Sequence, residues 1–141
     1  MRFAAEKGAE ETARFALENE DLGKLDTASE RWNDMLRYKE DADPEQRAWG
    51  LVAEKHLKEL RDVDWLDGEL QKGKDKKEGK SSSETMALKA LAEEADGKIA
   101  VARDTWGQLK RDSESDPEQR RWYLLAAKKV RELKNKEEDR K

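Results

Sequence analysis

Asp43-Pro44-Glu45-Gln46-Arg47 returns unchanged as Asp116-Pro117-Glu118-Gln119-Arg120. The match spreads outward from these residues in both directions. Upstream, Gly23-Lys24-Leu25, Ala28 and Trp32 align with Gly97-Lys98-Ile99, Ala102 and Trp106. Downstream, Trp49, Leu51, Ala53, Lys55, Glu59 and Leu60 align with Trp122, Leu124, Ala126, Lys128, Glu132 and Leu133. Self-similarity at a fixed spacing marks stacked supersecondary units. The chain therefore reads as one unit written twice.

Each unit reads as three helices. The first spans about Glu6 to Glu20, with Ala13, Ala16 and Leu17 on one face, and its copy has Ala87, Ala90 and Leu91. Ser83 is the expected cap of that copy, because a hydroxyl there can accept an orphan backbone N–H. The second helix opens after Gly23 and carries Leu25, Ala28, Trp32, Met35 and Leu36 at helical spacing. Ile99, Ala102, Trp106 and Leu109 repeat it. The third opens at Asp-Pro. Asp43 and Asp116 suit the cap position, and Pro44 and Pro117 the first turn, where no N–H is needed. Its apolar stripes are Trp49, Val52, Ala53, Leu57 and Leu60, then Trp122, Leu125, Ala126, Val130 and Leu133. No segment alternates with period two, so the fold class is all-α. The Trp spacing places Trp32 against Trp49, and Trp106 against Trp122, as structural core.

Composition narrows the class further. Of 141 residues, 45% are charged, and Leu, Ile, Val and Phe supply only 22, a level that leans toward disorder. Net charge is only −4, however, and five Trp add large apolar area. Such a chain can bury a thin core. There is no Cys, which excludes disulfides and thiolate chemistry. No apolar run approaches the roughly 20 residues that span a bilayer. The N-terminus lacks an apolar signal core. A soluble protein is expected, with the cytoplasm favoured, no membrane partner, and the chain a segment of a larger protein. Residues 1–71 hold 11 Lys/Arg against 19 Asp/Glu, whereas residues 72–141 hold 19 against 15. That asymmetry allows weak homo-oligomers through acidic and basic halves.

The expected organisation is a first unit over 1–66, a linker or helix extension over 67–83, and a second unit over 84–141. Asp67 to Ser83 is rich in Gly, Lys and Ser, with Leu70 its one apolar side chain. Trp65 has no apolar counterpart in the second unit. The favoured reading is that it extends the third helix with Val63, Leu66 and Leu70 and docks between the units; the alternative is an exposed anchor for a partner.

Gly23-Lys24-Leu25, Ala28, Trp32 and Met35-Leu36 resemble the second helix of a tetratricopeptide repeat (TPR), and Gly97-Lys98-Ile99, Ala102, Trp106 and Leu109 match the same pattern. Trp49, Val52 and Ala53 are similar to the family's first helix, as are Trp122, Leu125 and Ala126. The departures are His56 and Lys129, where the family has an aromatic, and a longer loop before Pro44. The resemblance implies helical hairpin repeats in a short right-handed solenoid. It implies a groove for a peptide or protein partner. The exposed third-helix residues expected to line it are Arg47, Glu54, Lys58, Arg120, Tyr123 and Arg131.

Chemistry-bearing patterns are sparse. His56, the single His, aligns with Lys129 and reads as a solvated flank. No metal-ligating spacing occurs, and no cofactor or catalytic residue is assigned. Glu10-Glu11, Glu93-Glu94 and Glu137-Glu138 lack an apolar setting in sequence. Gly73 to Ser81 has five residues between its glycines where a phosphate-binding loop has four, with no strand before it. The basic runs at Lys72–Lys80 and Lys128–Lys136 are diluted by acids, so nucleic acid is not an expected partner. The expectation is a non-enzymatic interaction module, with self-assembly or a spacer as the alternative.

Overall fold

A computed structural model describes residues 2–76 and 78–139. Its elements in order are α1 (Arg2–Asp21), α2 (Leu25–Met35), α3 (Pro44–Lys72), α4 (Ser82–Ala95), α5 (Ile99–Ser113) and α6 (Arg120–Asp139). Short 3-10 turns cover Leu36–Glu40 and Pro117–Gln119. Among the described residues there is no strand, and no helix is long and apolar enough to cross a membrane.

The chain divides into two compact units, one ending at Arg61 and the other beginning at Asp62. The division falls inside α3, which runs through residues 67–72 of the expected linker. The second unit thus holds the end of α3 together with α4, α5 and α6.

Both units use the same turn. Gly23 and Gly97 have φ of 79° and 78°, a region closed to most L residues. Gly23 N–H donates to Glu20 O at 3.1 Å and Lys24 N–H to Asn19 O at 2.8 Å. Gly97 N–H donates to Glu94 O at 3.0 Å and Lys98 N–H to Glu93 O at 2.9 Å. This is a Schellman motif, in which a left-handed Gly lets the chain satisfy the last helical carbonyls and turn back.

The Asp-Pro starts are capped as their chemistry requires. Asp43 Oδ1 accepts from Glu45 N–H at 3.2 Å, and Asp116 Oδ1 from Glu118 N–H at 3.0 Å. The cap of α4 is Ser81 and not Ser83: Ser81 Oγ accepts from Glu84 N–H at 3.1 Å. Glu84 answers by accepting from Lys80 N–H at 2.6 Å, a variant of the capping box that fixes which of three serines begins the helix. Ser83 then lies inside the first turn, and its Oγ donates to Gln119 Oε1 at 2.7 Å.

In the first unit the buried apolar side chains of α1, among the described residues, are Ala9, Ala13 and Ala16, and α2 fills the space beside them with Trp32 and Met35. Ala53 and Leu60 of α3 complete it. In the second unit α6 meets α5 on one side. Its Lys128 and Lys129 meet Asp67 of α3 on the other. Packing on two sides buries the whole run Trp122 to Ala127. The matched part of α3 is less enclosed: Trp49 is half-buried and Leu51 is 56% exposed, while Leu124 is fully buried. Trp32, Trp106 and Trp122 are buried and Trp49 is half-buried; the ring that stacks on Trp32 is His56.

One close approach separates the units. A Cβ on Gly50 would collide with Lys39 N and lie 2.7 Å from its Cα. The backbone of the Leu36–Glu40 turn therefore rests directly on α3. In the second unit α5 stays helical to Ser113, and buried Tyr123 stands where Gly50 would be. Helix propensity alone makes Gly→Ala stabilising by about 1 kcal/mol. Here steric conflict with backbone reverses the sign. Gly50→Ala is expected to destabilise the chain by about 1–3 kcal/mol, read from chemical unfolding; a gain in stability would contradict the packing of the turn on α3.

Candidate functional site

The most unusual chemistry lies where the Schellman turn meets the core. Trp32 Nε1–H donates to Glu20 Oε2 at 2.6 Å, and Trp106 Nε1–H donates to Glu94 Oε2 at 2.7 Å. Both indoles are fully buried. An indole N–H in a core needs an acceptor, since an unmet donor there costs about 1–3 kcal/mol. Each Glu stands three residues before the turn glycine, so the turn that reverses the chain also aims the carboxylate at α2 or α5. In the second unit Glu93 joins in, its Oε1 accepting from Thr105 Oγ1 at 2.6 Å.

Of the Glu93-Glu94 pair, Glu94 meets the buried Trp106 indole. One expectation is corrected here. His56 is not a solvated flank. Its side chain is 16% exposed, its Nδ1 lies 2.9 Å from Glu20 Oε2, and its ring stacks on Trp32 with centroids 4.3 Å apart. The matched Lys129 is also buried, at 7% exposure. Its Nζ lies 3.2 Å from Asp67 Oδ1, and Lys128 Nζ lies 3.4 Å from Asp67 Oδ2. Position 56/129 is thus a buried polar position in both units, served by a different carboxylate in each. Burial alone would push the Asp67 carboxyl up. The Lys129 and Lys128 ammoniums outweigh it and hold the carboxyl below its ordinary value.

The His56–Glu20 pair has the make-up of an acid–base dyad, but Glu20 is fully buried and reaches no surface where a substrate would sit. Among the described residues, no group of three or more His, Asp or Glu side chains is placed to hold a metal ion.

The residues expected to line a partner groove fall three in each unit. Arg47, Glu54 and Lys58 are exposed on α3, and Glu54 pairs with Lys39 of the 3-10 turn. Arg120 and Arg131 are half-buried. Tyr123 is not an exposed residue. It is 6% exposed and lies beneath the cations of Arg120 and Lys110, at 5.1 and 5.6 Å from its ring centroid. The expected burial of Trp65 is also corrected. Val63, Leu66 and Leu70 are buried as that stripe requires, but Trp65 lies on the opposite side of α3 and is 62% exposed.

A groove of about 710 Å³ runs along the second unit between α4 and α5. Met86 and Val101 give it an apolar floor, with Thr85, Lys89, Glu93, Asp104 and Thr105 around them. Reasoning from sequence missed this feature. Its members Thr85, Met86, Lys89 and Glu93 follow one helical stripe, which composition alone makes look like ordinary wet surface.

No protein-family model, curated protein or solved structure matches the chain.

Two consequences are measurable. Glu20→Ala removes a fully buried acceptor from Trp32 and His56 and is expected to cost about 2–3 kcal/mol. Glu94→Ala, at a half-buried carboxylate, should cost about 1 kcal/mol; equal and negligible losses on chemical unfolding would contradict the account. Asp67 titrates lower in the folded chain than in the unfolded one. Its contribution is therefore complete above the ordinary carboxylate range and is lost as pH falls through the lowered folded value. Asp67→Asn should flatten the acid limb of the stability–pH curve; an unchanged limb would contradict the pairing with Lys129.

Proposed function

We propose that the chain is a non-enzymatic interaction module, a segment of a larger protein that binds a protein or peptide partner. The observation that carries this is the open α4–α5 groove, in which Met86 and Val101 lie among charged and polar groups. Mixed apolar and charged lining is what helix-in-groove recognition uses. The burial of Glu20 behind Trp32 supports a structural role for the one dyad-like pair. Net charge of −4 and a pI near 5.3 favour a protein partner over nucleic acid.

The finer architecture belongs to the same proposal. The two units are read as TPR-like hairpins of a short right-handed solenoid. This is supported by the identical Gly turn and the identical indole–carboxylate bond at matched positions.

The test is retention of proteins from the source's own extract on the immobilised chain, run beside a Val101→Lys chain. Val101 is 47% exposed, so this change should leave the fold intact. One near-stoichiometric partner, lost with Val101→Lys, is the expected outcome. Retention of only further copies of the chain, weakening as salt rises, would favour self-assembly through its acidic and basic halves.

A further inference from the structure

The two hairpins differ at several matched positions that border the groove, and one pair of these holds an aromatic–cation contact in the first unit. In the first unit Phe15 of α1 lies beneath the Arg31 guanidinium of α2, which sits 5.4 Å from the ring centroid. The spacing that carries Trp32 onto Trp106 carries Phe15 onto Lys89 and Arg31 onto Thr105. Lys89 and Thr105 are both groove residues. The first unit carries an aromatic–cation pair at these two positions, whereas the second has a shorter side chain at one and a solvated ammonium at the other. Met86 and Val101 are left accessible between them.

Resting on the reading of the chain as an interaction module, we infer that this groove binds a helical protein segment bearing an aromatic side chain with an Arg or Lys one turn away. The aromatic ring covers Met86 and Val101 and offers its face to the Lys89 ammonium. The cation meets carboxylates. Among the described residues, Glu78, Glu93 and Asp104 line the groove against the one cation Lys89, a balance that suits a basic ligand. Glu93 spends one oxygen on Thr105 Oγ1 and keeps the other for an incoming donor. Asp104 is 79% exposed and only 3.9 Å from Arg103 in a loose pair, leaving it open to a stronger one. The lining stripe from Ser82 to Glu93 is roughly three helical turns long, enough to seat a short helix. The first unit supplies the precedent: the same two helix positions already hold an aromatic–cation pair side by side.

The test uses the full chain and a displayed library of alanine/glutamine-based helical peptides, with two positions one turn apart varied over all residues. Aromatic–basic pairs are expected to be enriched at least roughly tenfold over aromatic–acidic ones. The double variant Lys89→Phe/Thr105→Arg copies the first unit's pair into the groove and should abolish that enrichment. Val101→Lys, at an exposed position, serves as a second variant should the double one unfold. No enrichment, enrichment of acidic pairs, or unchanged enrichment on a folded variant would overturn the inference. Enrichment of a different peptide class that the variants abolish would also overturn it, while leaving the interaction-module reading standing. That reading falls only if the groove variant also fails to alter capture of a natural partner.

Discussion

The bond from a buried indole N–H to a glutamate carboxylate constrains everything around it. Trp32–Glu20 and Trp106–Glu94 each link the end of one helix to the middle of the next. Neither half is stable alone. An indole buried without an acceptor leaves a donor unmet, and a buried carboxylate without donors faces a far larger desolvation cost. The partners must therefore arrive together, and only a turn that reverses the chain within three residues brings them together. The left-handed Gly and the Schellman bonds provide that turn. Once register is set this way, alanine suffices on α1 and the large ring of α2 fills the remaining space.

With that element held constant, the two units have diverged in the positions that face it. His56 and Lys129 occupy one site, but the first answers Glu20 of its own hairpin and the second answers Asp67 on the end of α3. Gly50 and Tyr123 occupy another, set by whether the preceding helix ends in a 3-10 turn or continues. Gln46 and Gln119 form a third such pair. Gln119 accepts from Ser83, whereas the residue matched to Ser83 is Ala9, and the buried Gln46 amide finds no partner among the described residues. Phe15 and Arg31 likewise stand where the second unit has Lys89 and Thr105. The turn and its indole–carboxylate bond are thus common to both units, while the surfaces around them differ.

Helix identity was legible because its causes are local. Asp-Pro caps, the Gly turn and the Trp/Ala periodicity each act within one turn of chain. The acceptors were not legible. Glu20 and Glu94 stand among 34 acidic residues, and their only mark is a fixed distance from the Gly and the Trp. His56 and Lys129 looked solvated because the position varies in type, yet it varies between two cationic-capable groups that each find a buried carboxylate. The carboxylate of Lys129 comes from α3, outside the hairpin, so no pattern within the repeat announces it. Tyr123 was misplaced because α5, continuing as a helix to Ser113, places Lys110 over its ring. The groove is a property of what two helices fail to cover, which no single stripe reveals.

The most direct measurement of the central claim is hydrogen exchange of the five indole N–H groups, resolved by nitrogen-15 NMR. Trp32 and Trp106, bonded to carboxylates in the core, should be the two slowest to exchange. Exposed Trp65 should exchange at nearly the rate of a free indole. Rapid exchange at Trp32 and Trp106, or one uniform rate across all five, would contradict the paired indole–carboxylate bonds on which this account of the fold depends.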